Sequence, residues 1–278
     1  MSAIDGIIYA RKSDCYLNGQ TMKPTHIVVH STGCNNPDLK RYIQPDDGKI
    51  GTNPYNNSWN EPNQNVIVHC AIGKDANGNV KTYQCLPFYF KAWGVYKGSK
   101  GSFNDCAIQF EMLEDDLSNK TYCKKCYDKA VELCAYLCKE YNIPVKNIVS
   151  HKECGEMGYG SNTHIDPMNW WDKYGYDMNG FRTAVKKKID GTDKPILDKS
   201  GYKRNDDTIG SLALKEMLLI ARKLGISKYG MDENGVIGDG TIKAINYFLE
   251  KWGYAPNGIA GRNFILKLAI DIKNNVKK

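Results

Sequence analysis

Short β-branched runs set far apart, with one long amphipathic stretch among them, restrict the first two thirds of this chain to a mixed α/β layout. Thr25-His-Ile-Val-Val-His30 and Asn65-Val-Ile-Val-His-Cys70 read as buried strands, and residues 107–111 form another. Residues 79–85 follow the Asn77-Gly78 turn signal as the return strand of a hairpin. Residues 127–141 are the clearest helix, stopped by Asn142 and Pro144. The expected fold class is α/β, a central mixed β-sheet flanked by helices, with a second, small all-helical domain.

The second domain is announced by a change of composition after Ile189. Residues 189–206 are polar, Gly-bearing and aperiodic, which predicts a linker between a domain at 1–188 and another at 207–278. Beyond it, Leu212, Leu214, Met217, Leu218, Ala221 and Leu224 trace one helix face ending at Gly225, and Ile242, Ile245, Phe248, Leu249 and Trp252 trace a second. Asn234-Gly-Val-Ile-Gly238 recurs as Asn257-Gly-Ile-Ala-Gly261, each just before a helical run, with Asn-Gly supplying positive φ for a tight turn.

A formal charge of +7 favours an anionic partner, but no dense Lys/Arg block is present, so nucleic acid is not expected. No segment approaches the ~20 apolar residues of a membrane span, and the N-terminus lacks the basic-then-apolar pattern of a signal peptide. Cytoplasmic synthesis without membrane insertion is the expectation; oligomeric state has no sequence signature. Ten cysteines suggest a disulfide framework until Cys123, Cys126, Cys134 and Cys138 are seen to follow helical spacing with Tyr127, Ala130 and Leu137. Reduced, buried thiols are predicted there. Cys123-x-x-Cys126 lacks a second pair at zinc-ribbon or zinc-finger spacing.

The five histidines carry the functional signal. His26 and His30 share one side of a strand but stand roughly 13 Å apart, too far to hold one metal. His30 ends its apolar run where the strand opens into Ser31-Thr32-Gly33. In His164-Ile-Asp166-Pro167 the proline favours extended backbone at Asp166, so the imidazole and carboxylate point to the same side. His151 follows another short apolar strand. Two imidazoles and one carboxylate make a borderline-soft site that leaves zinc a position for water. Glu153, Cys154 and His164 are alternative ligands.

Ile27-Val-Val-His-Ser-Thr32, Val68-His-Cys-Ala-Ile-Gly73, Lys91-Ala-Trp93, Ala107-Ile-Gln-Phe-Glu111, Val149-Ser-His-Lys-Glu153 and Asn162-Thr-His-Ile-Asp-Pro167, in that order, resemble the zinc-dependent N-acetylmuramoyl-L-alanine amidases of the type-2 family, which share their fold with peptidoglycan recognition proteins. The resemblance spans about residues 22–188. It implies His30, His151 and Asp166 as zinc ligands, Glu111 as the group that takes a proton from water and passes it to the leaving amine, and His164 as a donor near the developing oxyanion. It also implies that His69 and Trp93 line the substrate cleft. Val68 stands where several relatives carry a catalytic tyrosine, and Gly94 where many have histidine. Residues 207–270, with both Asn-Gly turns and Thr241, resemble the peptidoglycan-binding domain appended to many wall hydrolases, although Asn234 and Asn257 replace its usual Asp and Leu249 a commoner polar residue. Together these resemblances imply an endolysin-type enzyme whose partner is bacterial peptidoglycan, released to the wall by a holin-type route. A non-catalytic peptidoglycan recognition module, or a zinc peptidase acting on stem or cross-bridge peptides, would share most of this pattern.

Overall fold

The computed structural model describes residues 3–191, 194–232 and 234–276. Two compact units divide between Ile189 and Asp190.

The first unit is built on six strands: β1 (Gly6–Ile7), β2 (His26–Ser31), β3 (Cys70–Lys74), β4 (Val80–Gln84), β5 (Ala107–Met112) and β6 (Ile148–Ser150). They form one mixed sheet in the order β1-β4-β3-β5-β2-β6, in which only the β3–β4 hairpin is antiparallel. Its helices are α1 (Asp14–Asn18), α2 (Leu39–Tyr42), α3 (Lys120–Glu140), α4 (His151–Met157), α5 (Met168–Trp171) and α6 (Met178–Asp190).

Strand alternation decides which face carries the chemistry. Ile27 and Val29 of β2, with Ile108, Phe110 and Met112 of β5, pack into the main core with α3, Trp170, Trp171 and Phe181. Val28 and Ala107 face the other side, in a smaller cluster with Val95, Phe103 and Val149. His30, Gln109 and Glu111 stand at the same alternation as Val28 and Ala107, so the sheet presents them together on that side, where residues 43–69 run without helix or strand. A connection this long inside a compact domain is characteristic of a binding loop.

The expected strand at 65–70 is corrected: only Cys70 belongs to a strand. Ile67 and Val68 are buried, but in irregular chain, so burial rather than sheet pairing accounts for this β-branched run. Helix α3 starts earlier than its periodicity suggested, because the Asn119 side chain accepts from Tyr122 N (3.0 Å) and caps it. Cys123, Cys126, Cys134 and Cys138 are buried along it, and all ten cysteines are free.

The second unit holds α7 (Ile209–Lys223), α8 (Asp239–Lys251) and α9 (Arg262–Val276) around Leu214, Leu218, Ile245, Phe248, Leu249, Phe264 and Leu268. Of the stretch read as a linker, Thr192 and Asp193 lie outside the described residues. From Pro195 onward it is tied into this unit: Pro195 O accepts from Ala255 N (3.0 Å), the Asp198 carboxylate accepts from Phe264 N (2.9 Å) at the start of α9, and Tyr202 pairs with Ala260. Its polarity reflects turn and capping duty. Gly258 adopts the positive φ expected of its turn (+69°); Gly235 does not, and is required instead by Asp207 Oδ1, which an added Cβ would approach to 2.5 Å. No helix among the described residues is long and apolar enough to cross a membrane.

Candidate functional site

Three elements deliver the central cluster. His30 sits near the end of β2, in register with Glu111 of β5. His151 is the first residue of α4, a position fixed by a capping box: Ser150 Oγ accepts from Glu153 N (3.1 Å) and Glu153 Oε2 accepts from Ser150 N (2.9 Å). Asp166 arrives on the irregular segment before α5 and accepts from Ser31 N (3.3 Å).

His30 Nδ1 and His151 Nδ1 stand 3.1 Å apart, and the Asp166 carboxylate lies 3.3 Å from the first and 3.2 Å from the second. One ligand atom from each of these buried residues falls within 4.8 Å of the others, the only such group of His, Cys, Asp or Glu among the described residues. Burial pushes the Asp166 carboxyl up, but its hydrogen bonds to His151 and His30 outweigh that and hold it well below the usual carboxylate range. Burial lowers the His151 pKa. Two imidazoles facing one ionised carboxylate, all largely buried, form a donor set suited to a divalent cation, and the N,N,O composition suits zinc.

Gln109, which the sequence reading passed over, sets the orientation of His30. Its Oε1 accepts from His30 Nε2 (3.1 Å), which leaves Nδ1 free to face Asp166, while its Nε2 donates to Asn104 Oδ1 (2.9 Å). Gly94 makes room for it, since a Cβ there would lie 2.3 Å from Gln109 Oε1. The signal was present in the sequence, because Gln109 is two residues before Glu111 on one strand face.

Glu111 is not a surface carboxylate. Its Oε2 is buried without a hydrogen-bond partner, and burial, with Asp166 and Glu114 adding, raises its pKa well above the usual value. Glu114 and Asp115 are buried as well; Glu114 accepts from Ser31 Oγ and from Asn169 Nδ2 (3.1 Å). His164 is exposed and stacks on His151 with ring centroids 4.3 Å apart and planes 9° off parallel. Both line a cavity of about 690 Å³ with Trp93, Lys97 and Asn104, which puts Trp93 at the cleft.

His69 is elsewhere. It is fully buried, with Nε2 donating to Phe90 O (2.9 Å) and Nδ1 accepting from Gln109 N (3.0 Å), so both nitrogens are spent on backbone and neither reaches the cleft. Burial lowers its pKa to about 4. His26 packs on Phe103, away from His30. Glu153, an alternative ligand on sequence grounds, is occupied by its cap and by Arg182 (3.1 Å), and Cys154 lies outside the ligand group.

A curated relative, Protein Ami of Listeria monocytogenes serotype 1/2a (strain EGD / Mackaness), is 26% identical over 182 residues, covering 62% of this chain and 17% of its own length, so the chain spans only a small part of that protein. Among solved structures, the PlyG catalytic domain is 25% identical with a TM-score of 0.47, over 68% of this chain and 96% of that one. The Staphylococcus aureus hydrolase AmiA is 19% identical with a TM-score of 0.48, over 68% and 85%. The pattern of the N-acetylmuramoyl-L-alanine amidase family matches residues 20–169, more than half of the 278 and inclusive of His30, Glu111, His151 and Asp166. This chain belongs to the N-acetylmuramoyl-L-alanine amidase family.

Proposed function

We propose that this chain hydrolyses the amide between N-acetylmuramic acid and L-alanine in bacterial peptidoglycan, using zinc held by His30, His151 and Asp166. The observation that carries the reading is the convergence of those three candidate ligand groups beside Glu111, whose Oε2 is buried without a partner. Bound there, zinc would supply Lewis acidity at the scissile carbonyl and make water a usable nucleophile near neutral pH.

The chain's own side chains do the rest. Gln109 accepts from His30 Nε2 and so holds the ring with Nδ1 turned toward Asp166 and His151, the atom that would ligate zinc once its proton is given up. Glu111 acts from its ionised form: burial makes that carboxylate a stronger base than an exposed glutamate, so it accepts the proton from the attacking water and returns it to the nitrogen of the leaving alanine. His164, exposed at the cleft, offers a hydrogen bond where negative charge grows on the carbonyl oxygen. The stem peptide lies in the 690 Å³ cavity beside Trp93. The C-terminal unit, which the family pattern does not reach, would hold the enzyme on the wall; its paired Asn-Gly turns support that role.

Purified peptidoglycan digested by zinc-loaded protein should yield new L-alanine amino termini and no new reducing sugars. Chelation, His30→Ala or His151→Ala should abolish that release. Wall binding without cleavage would replace this reading with a recognition module, and new termini other than L-alanine would mark a peptidase.

A further inference from the structure

A second cavity, about 220 Å³, touches the same centre from Glu111, and Val66 lines both it and the larger one. The larger cavity meets the ligand group through His151, the smaller through the sheet partner of His30. Reactive groups between two cavities of unequal size suit a substrate whose scissile bond joins two unequal halves.

The small cavity is walled by Trp59, Val68 and the ring of Tyr42. Tyr42 is only 6% exposed, and its hydroxyl, shut off from water, makes no hydrogen bond. Thr32 and Cys34 stand close enough to bear on its ionisation, yet neither completes a bond to it. Its ring is fixed by Trp59 at 5.1 Å and by the Arg41 guanidinium at 5.2 Å. A buried hydroxyl without a partner is uncommon, and a rigid one is a donor waiting for an acceptor. Cys34, beside it, is exposed on the turn at Gly33 (φ +57°).

We infer that this cavity takes the acyl side of the scissile amide, the lactyl and acetamido groups of the muramoyl sugar, with Tyr42 Oη donating to one of their oxygens once Cys34 moves aside. Methyl groups of that half rest on Trp59 and Val68, and a stem peptide of several residues keeps the larger cavity. The assignment rests on the amidase reading.

The test is Tyr42→Phe, which keeps the ring and removes the hydroxyl. Calorimetry on chelated protein would compare N-acetylmuramoyl-L-alanyl-D-isoglutamine with the dipeptide L-alanyl-D-isoglutamine. Tyr42→Phe should bind the muramoyl ligand about tenfold more weakly, the worth of one hydrogen bond, and the dipeptide as the wild type does. With zinc, alanine release should fall by a similar factor, while the melting midpoint stays level or rises because an unmet polar group is gone. Equal binding of both ligands by variant and wild type, parallel weakening of both, or a wild type that binds neither would overturn the assignment. A fall in melting midpoint with unchanged binding would make the hydroxyl structural. A wild type that binds the muramoyl ligand through Tyr42 yet releases no alanine termini would refute the amidase reading and leave the cavity assignment standing.

Discussion

Replacing Gln109 with Met tests whether the metal centre depends on a residue that would not itself touch the metal. Gln109 is fully buried, and its carboxamide bridges His30 Nε2 at 3.1 Å and Asn104 Oδ1 at 2.9 Å. Methionine fills comparable volume but offers His30 no acceptor. The stranded Nε2–H costs about 1–3 kcal/mol if the ring stays put. If the ring escapes by turning, Nδ1 no longer faces Asp166 and His151. Either way zinc affinity should fall roughly 10–100-fold, the usual effect of removing such an orienting partner. That is about 1.4–2.7 kcal/mol, and the zinc-induced rise in stability at fixed free metal should shrink by the same amount. Competition against a chromogenic chelator gives the affinity, and thermal unfolding with and without zinc gives the linked stability. Gly94→Ala should act in the same direction while keeping the glutamine, since its Cβ would sit 2.3 Å from Gln109 Oε1 and 2.9 Å from Val68 Cγ1. A Gln109→Met protein that melts lower yet binds zinc as the wild type does would refute the reasoning and reduce Gln109 to packing.

Three other perturbations separate roles that share this fold. Glu111→Gln should lower alanine release at least 100-fold, while raising or preserving the melting midpoint of the chelated protein at neutral pH, because the folded state disfavours the ionised carboxylate beside Asp166 and Glu114; a large loss of stability would count against it. His69 has a folded pKa of about 4 against 6.5 for the free side chain, so the unfolded chain takes up its proton first as pH falls. Stability fully present above pH 6.5 should therefore decline by about 3 kcal/mol down to pH 4 and level off below; His69→Gln should flatten that part of the pH–stability curve measured by denaturant unfolding. In the C-terminal unit, Lys215 is 1% exposed and its Nζ gathers Asp232 Oδ1 (2.6 Å), Asn234 Oδ1 (2.9 Å) and Val236 O (2.9 Å). Lys215→Met should cost that unit about 2–3 kcal/mol by calorimetry and leave cleavage of a soluble muramoyl peptide unchanged.

The sequence pointed to the three clustered residues because two of them lie where a periodic element begins or ends and the third stands beside a histidine and a proline. His30 closes a β-branched run, His151 opens a helix, and Asp166 follows His164 at a spacing that brings both against His151. The capping box that seats His151 is equally legible in Ser150-His-Lys-Glu153, and it commits the Glu153 carboxylate to the Ser150 backbone. Gln109 shares the right strand face but is a residue type that neither titrates nor commonly ligates metal, so its chemistry alone carries no sign of its place. His69 failed the other way. Its residue type drew attention, yet its partners are the Phe90 carbonyl and the Gln109 amide, and backbone groups reached across the fold leave no mark on side-chain pattern.

The acidic run Glu111 to Asp116 shows where that limit lies. Strand alternation puts Glu111 at the chemistry, and the end of β5 at Met112 stops alternation from saying anything about the acids that follow. Glu114 turns inward to accept from Ser31 and Asn169, Asp115 is buried, and Asp116 stays at the surface and accepts from Ser118. Glu114 and Asp166 both bind the short Ser31 segment, one through the hydroxyl and the other through the backbone N–H, so a single residue after His30 links the Asp166 carboxylate to another acid that helps raise the Glu111 pKa. Periodicity names the residues that enter the site, whereas the arrangement that tunes them depends on which neighbour each donor finds after the chain has closed.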